Sequence, residues 1–387
     1  MMVGIDASRA NKDNKTGTEW YSYYIIQELK KMTPDNCQVV LYTNASLKGD
    51  LSVMPTPPQP SPYKGEGVSL VWREKDLSWP PKYLWTQIRL WWELIIKPPD
   101  VLFVPAHTIP FLPIRRKTKI FVTVHDVGFK RFPELYKKIQ IWYHDLTMRR
   151  IKYRADIIIT ISDFSKREII KLYRVNPEKI KVVYPGYDRE KYNLSGEASD
   201  FRLQEIFQKY QIVKPYLLYV GRIERKKNVA NLIRAFIEVK RQFPGLRLVL
   251  AGEGGNLYEE IKKIIFQEKV EQEIIMTGYV AEEDLPEILR NAEIFLFPTL
   301  YEGFGLPIIQ AMASGVPVVA SDLEPHREVS GGAAALARPM NHRAIAQKII
   351  EILSNNKIRE ELSQKGLARA QDFSWEKTAR GIWDLMN

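Results

Sequence analysis

Short apolar runs alternate with helix-period segments along the whole chain. In the first half, residues 2–7 (MVGIDA), 37–43 (CQVVLYT), 101–104 (VLFV), 119–126 (KIFVTVHD), 156–162 (DIIITIS) and 179–186 (KIKVVYPG) have near-continuous apolar centres. Such runs suit parallel strands buried on both faces better than half-exposed ones. Between them, 18–31, 83–96, 135–153 and 163–173 repeat apolar residues at helical spacing. The second half repeats the plan, with strands at 216–221, 246–252, 273–278, 293–299 and 316–321 and helices at 228–242, 256–268, 282–290 and 306–314. This β-α-β-α alternation predicts an α/β protein of two Rossmann-like, doubly wound domains.

Two domains also suit a length of 387 residues. The stretch 186–200 (GYDREKYNLSGEASD) is polar, rich in turn formers and without apolar period, and reads as the linker. The expected domains are therefore 1–190 and 200–373. A final helix follows at 374–386, capped by Ser374. Residues 54–66 carry five prolines and read as a surface loop inside the first domain, because the α/β pattern resumes after them.

Composition narrows the class. Hydrophobic residues make up 45% and charged residues 27%, which excludes a disordered or fibrous chain. Cys37 is the sole cysteine, so a disulfide scaffold and cysteine-based zinc sites are excluded, and the five histidines show no metal-ligand spacing. No cofactor or metal is expected. The N-terminus lacks a basic, long-apolar leader and no window has the roughly 18 apolar residues of a spanning helix, so the expected location is cytoplasmic. Charge is uneven. Residues 1–190 hold 31 Lys and Arg against 20 Asp and Glu, while 191–387 hold 26 of each. The whole excess of +11 lies in the first half, which is expected to meet something anionic, a membrane surface on the cytoplasmic side among the options. The segment 78–97 adds Trp79, Trp85, Trp91 and Trp92 with Lys82, Arg89 and Lys97, a mixture that suits a headgroup interface, although an aromatic stripe at helical spacing also suits a core.

Ligands of open α/β sheets bind beyond the carboxyl ends of strands, so the chemistry is sought in loops after strands. YVGRIERKKN follows one strand and opens a helix. Gly221 permits a tight turn, and Arg222 and Lys227 bring two cations that suit a diphosphate, or form a solvated basic turn. FPTLYEGFGLPIIQ supplies Glu302, the glycine pair Gly303 and Gly305, and Pro307 at the start of a helix. N–H groups at a helix start favour phosphate, and a carboxylate beside them suits hydroxyl donors such as those of sugar and ribose. Together these are the parts of a sugar-nucleotide site.

On these residues the chain resembles the donor domain of the retaining GT-B glycosyltransferases of family four. The resemblance extends to TGTEWYSYYIIQEL near the N-terminus, VHDVGFKRFPELY at 124–136 and ADIIITISDFSKREI at 155–169, which look like that family's acceptor domain. It implies that Arg222 and Lys227 neutralise the donor diphosphate and that Glu302 contacts donor sugar hydroxyls. Gly303, Phe304, Gly305 and Leu306 would line the donor, the last two through backbone N–H groups. Gln310 stands where the family usually has a second glutamate for the ribose hydroxyls. Glu253 would lie near the nucleotide, or be a turn residue, and Tyr279 and Val280 would frame the base. In the first half, Gly17 matches a glycine-bearing loop near the diphosphate and His125 a histidine near the donor sugar, with Asp126 orienting its ring; His107 in VPAHTIP is a lesser candidate, on the acceptor side if functional. The final helix is expected to return to the first domain. The implied reaction moves a hexosyl group with retention, without a metal, from a nucleotide-sugar donor to a glycan or lipid-linked acceptor; GDP-mannose is favoured, with glucose, N-acetylglucosamine and rhamnose donors open.

Other classes fit less well. No helix-turn-helix or RNA-recognition signature accompanies the basic half, so nucleic acid is not an expected partner. No G-x-G-x-x-G follows the first strand, against a nicotinamide enzyme. Gln310 keeps open a GT-B epimerase or an inactive sugar-nucleotide binder.

Overall fold

The first-half runs become strands of one parallel sheet: β1 (Met2–Asp6), β2 (Gln38–Thr43), β3 (Trp72–Asp76), β4 (Val101–Val104), β5 (Lys119–Val124), β6 (Ile157–Thr160) and β7 (Ile180–Val182). Their order is β3-β2-β1-β4-β5-β6-β7. The crossovers carry α1 (Gly17–Met32), a π-helical stretch Trp85–Leu90 running into α2 (Trp91–Ile96), α3 (Gly128–Arg131), α4 (Lys138–Arg154) and α5 (Asp163–Tyr173). This computed structural model describes residues 1–387 apart from 13–14, 35, 53–70, 81–83, 115–116, 196–198 and 256. The proline-rich loop at 54–66, Lys82 and the start of the 83–96 helix lie outside the described residues.

The second sheet has the order β10-β9-β8-β11-β12-β13, again all parallel. It is built by α6 (Asp200–Tyr210), β8 (Tyr216–Val220), α7 (Val229–Lys240), β9 (Arg247–Ala251), α8 (Tyr258–Gln267), β10 (Ile274–Gly278), α9 (Leu285–Arg290), β11 (Ile294–Phe297), α10 (Leu306–Ala313), β12 (Val318–Ser321), α11 (Glu324–Ser330), β13 (Ala335–Ala337), α12 (His342–Ser354) and α13 (Asn356–Ala370). Leu248, Leu250, Ile294 and Leu296 are buried on one side of this sheet against Leu232, Ile233 and Phe236 of α7. Each such fully buried side chain stabilises the unit by about 1.5–3 kcal/mol relative to exposure. The corresponding core of the first sheet includes Val40, Leu102, Val122, Ile158 and Ile180.

Internal contacts divide the chain into two units, Met1–Pro185 with Trp375–Asn387, and Gly186–Ser374. The last helix, α14 (Trp375–Met386), belongs to the first. Its Trp375 ring stacks on Tyr24 of α1 at 5.2 Å and 11°, and Ala379, Ile382 and Met386 are buried. Thr378 Oγ1 donates to the Tyr184 carbonyl at 2.7 Å.

Some elements depart from the hydropathy reading. β3 (WREKD) is a half-exposed edge strand, polar in the way edge strands often are, so it shows no apolar run. α6 and everything between β12 and α14 have no counterpart among the elements read from the sequence. The tryptophans separate: Trp79 precedes the helix, Trp85 is buried with Nε1 donating to the Leu77 carbonyl, Trp91 donates to the Pro113 carbonyl, and Trp92 is exposed. Among the described residues no helix is long and apolar enough to cross a membrane.

Candidate active site

Both sheets change direction between their first strand and the strand on its other side, at β1/β4 and at β8/β11. At such a switch point the two crossovers leave to opposite faces and open a crevice at the strand ends. In the second unit, the segments after β8 and β11 are those carrying Arg222, Lys227 and Glu302.

Glycines let the strand ends approach one another. Gly221 (φ 150°) and Gly252 (φ 149°) lie so close that a Cβ on Gly252 would fall 2.1 Å from the Gly221 carbonyl oxygen. Gly221 N–H donates to Ala251 and Gly252 N–H to Gly278, at 2.9 and 2.8 Å. The loops after β8, β9 and β10 are thereby laced side by side. They carry Arg222, Glu253 and Tyr279, all exposed, while Val280 is buried.

The basic loop is pinned to the end of β11. Leu300 N–H donates to the Lys226 carbonyl at 2.7 Å. Asn228, in the left-handed region at φ 59°, closes the Arg225–Lys227 turn and donates from Nδ2 to the carbonyls of Pro298 and Pro339 at 2.9 and 2.6 Å. This tether sets Lys227 Nζ 2.5 Å from Glu302 Oε1 and 5.2 Å from the centre of the Phe297 ring. Burial pushes the Glu302 carboxyl up, but the Lys227 and Lys226 charges and the Lys227 hydrogen bond outweigh it and hold it below its ordinary value. The site therefore keeps an ionised carboxylate paired with one ammonium, and the same loop carries the exposed Arg222.

Gly305 (φ 114°) turns the chain into α10, where Leu306 is the first helical residue and Pro307 the second, one position later than expected. The N–H groups of Gly305 and Leu306 have no intrahelical partner, whereas the Ile308 N–H is used by the Gly305 carbonyl. Phe304 turns inward onto Phe373, so only its backbone can face a ligand. Gln310 lies on α10, half-buried. Beneath the loop lies His326, fully buried: its Nδ1–H donates to the Ser321 carbonyl at 2.9 Å, leaving Nε2 to accept from Thr299 Oγ1 at 3.4 Å. Burial lowers its pKa to about 4, so the ring is neutral. Asn228 closes the YVGRIERKKN segment and His326 lies in no motif; the roles of both are visible only in the hydrogen bonds they make.

The first unit gathers its own group at β1/β4. The loop after β1 presents Arg9 and Lys12, 3.2 and 2.9 Å from the buried Glu19 carboxylate. Glu19 also accepts from the Thr16 N–H and so fixes the start of α1. Burial raises its pKa, but the Thr16 hydrogen bond and the charges of Lys12 and Arg9 prevail and bring it to about 2. Gly17 opens α1 facing open space. After β5, His125 Nε2–H donates to the Pro105 carbonyl at 3.1 Å, which leaves Nδ1 as the lone-pair nitrogen of a ring that burial keeps neutral. Asp126 does not orient that ring: its Oδ1 accepts from the Gly128 N–H and shapes the following turn. The His107 ring lies 5.0 Å from that of His144, and burial pushes its pKa down to about 3. Arg9 and His144 go unnoticed in the sequence because nothing local marks them.

Comparison with known proteins bears on both units. The family model described as "Glycosyl transferases group 1" matches residues 203–369, and "Glycosyltransferase Family 4" matches 16–191. O-antigen chain mannosyltransferase B of Escherichia coli is 34% identical over 271 residues, 69% of each chain. Mannosylfructose-phosphate synthase of Agrobacterium fabrum is 31% identical over 61% of this chain and 54% of its own length. Among solved structures, Anabaena Alr3699/HepE in complex with UDP and glucose superposes with a TM-score of 0.72 at 16% identity, over 100% of this chain and 98% of that one.

Proposed function

The chain belongs to the family 4 glycosyltransferases of the GT-B fold, and from that premise we propose that it moves a mannosyl group from GDP-mannose to a glycan or lipid-linked glycan acceptor, with retention of anomeric configuration. The observation that carries the donor reading is the set of Arg222, Lys227 and Glu302 at the β8/β11 switch point. Arg222 and Lys227 would face the diphosphate and stabilise charge as the nucleotide leaves, without a metal. Glu302, held ionised, would accept donor sugar hydroxyls through the oxygen that Lys227 does not occupy. Gly305 and Leu306 would offer N–H groups, with Gly303 and Phe304 contributing backbone. Gln310 would meet the ribose, and Glu253, Tyr279 and Val280 the nucleoside. In the first unit, Gly17 would approach the diphosphate, and neutral His125 would accept a hydroxyl hydrogen bond at Nδ1. The mannose donor is favoured because a relative that is 34% identical over 69% of this chain is named a mannosyltransferase.

The experiment is a calorimetric titration with GDP, UDP, GDP-mannose and UDP-glucose, followed by transfer assays with and without EDTA and product analysis by NMR. Binding of GDP and GDP-mannose, transfer indifferent to EDTA and an α-linked product support the reading. Failure of every nucleotide diphosphate to bind overturns it. Gln310 favours one second reading, an epimerase, and donor recovered unchanged without acceptor excludes it.

A further inference from the structure

We propose that the first unit docks on an anionic lipid bilayer through a mixed apolar and basic face formed by the 85–96 helix and the start of α4. The inference deepens the reading of a lipid-linked acceptor, and it rests on surface features separate from the donor site.

The first observation is an apolar stripe on the outside of a helix. Leu84, Ile88, Trp92 and Ile96 recur every four residues and so share one side. They are 47, 43, 54 and 53% exposed, while Trp85, Leu90 and Leu94 on the other side are buried in the core. A surface helix ordinarily turns polar side chains outward; here the most exposed side chains are the apolar ones. The second observation is a neighbouring patch on α4, where Ile139 and Trp142 are 71 and 63% exposed.

The two patches are joined by the segment 109–113. Gln87 Nε2 donates to the Ile109 carbonyl at 3.2 Å, and Phe111 N–H donates to Gln87 Oε1 at 2.7 Å. On the other side the Phe111 ring lies 5.8 Å from that of Tyr143, next to Trp142. The two elements that carry the exposed side chains therefore flank one segment, and on each the apolar residues are grouped rather than scattered singly, as surface apolar residues normally are.

The third observation is charge. Met1–Pro185 with Trp375–Asn387 holds 32 Lys and Arg against 20 Asp and Glu, while Gly186–Ser374 holds 25 against 26. Lys97 follows the apolar stripe directly, and Lys137 and Lys138 precede Ile139, all three exposed. Exposed indoles flanked by ammonium groups match a bilayer interface, where rings sit at headgroup depth and cations meet lipid phosphates. A protein partner or a second copy would cover the apolar side chains but would not call for the basic excess.

The test is co-sedimentation with vesicles of phosphatidylglycerol and phosphatidylcholine in equal parts, or of phosphatidylcholine alone, at low and high salt. The proteins are the full chain, Trp92→Gln, Trp142→Gln and the double Trp92→Glu/Trp142→Glu; circular dichroism confirms that each is folded. The expected result is binding to the anionic vesicles at least tenfold tighter than to neutral ones, weakened by salt and reduced at least tenfold in the double variant. Absent binding to anionic vesicles at low salt, or equal binding of wild type and double variant, overturns the proposal. So does a dimer, seen by light scattering, that the double variant abolishes. Nucleotide titration of the same samples reports on the donor site alone: a protein that binds vesicles but no nucleotide leaves this proposal standing and removes the other.

Discussion

The Lys227–Glu302 pair shows how one residue can serve both structure and chemistry. Both side chains are mostly buried, so removing either leaves a charge without its partner. Lys227→Ala is expected to destabilise the protein by about 1–3 kcal/mol and to lower transfer by ~10²-fold or more. The double variant Lys227→Ala/Glu302→Gln should regain part of the stability and none of the activity. Thermal unfolding with initial-rate assays on the three proteins checks this; full activity in a folded Lys227→Ala protein rejects the role given to it. His326 supplies a pH signature. Its folded pKa, about 4, lies below the ordinary value of 6.5, so between these values the unfolded chain binds the extra proton. The stability this burial leaves is complete above about pH 6.5 and declines as pH falls towards 4, by about 1.4 kcal/mol per pH unit. A His326→Gln variant should lose that slope; denaturant unfolding of both proteins at pH 7, 6 and 5 gives the difference, and parallel curves count against a neutral buried ring.

At the scale of elements, the strand ends matter more than the strands. Gly252→Ala would drive a methyl group into the Gly221 carbonyl, backbone against backbone, at a φ that L-residues avoid. It should separate the loops that carry Arg222 and Glu253, lowering nucleotide affinity at least tenfold in calorimetry while β8 and β9 keep their amide protection. The strands themselves are legible in the sequence because both faces are buried: YLLYV, RLVLA and IFLF are apolar throughout or nearly so. WREKD is not legible, because an edge strand with one neighbour can be polar and still complete its ladder on one side. α12 does carry a readable period at Ile345, Ala346, Ile349 and Ile352, whereas α13 buries only Gly366 and Ala370 and shows almost none. The candidate site divides in the same way. Arg222, Lys227 and Glu302 lie in local motifs, but the Asn228 tether and the His326 support join residues 70 or more positions apart, or hide in a buried ring, and leave no local trace.

At the scale of the molecule, the chain enters the second unit at residue 186 and returns to the first at 375. The two crossings are held together on the side of the second unit, where Arg189 Nη2 donates to the Gln371 and Phe373 carbonyls at 2.8 and 3.0 Å. Removing residues 375–387 would strip the Trp375 ring from Tyr21 and Tyr24 of α1, and the buried Ala379, Ile382 and Met386 from the first unit. The large ones, at about 1.5–3 kcal/mol each, together match a sizeable part of the roughly 5–15 kcal/mol by which a typical domain is stable. The truncated protein is therefore expected to lose hydrogen-exchange protection across α1 while the amides of β8–β13 keep theirs; unchanged protection of α1 contradicts this. The same insertion fixes an order of events on the ribosome. Residues 1–185 of the first unit are translated before any of the second, yet the helix that closes its aromatic face follows only after 189 intervening residues. Until then Tyr21 and Tyr24 lack the Trp375 ring that they pack against, so the unit begun before the other is completed only after it.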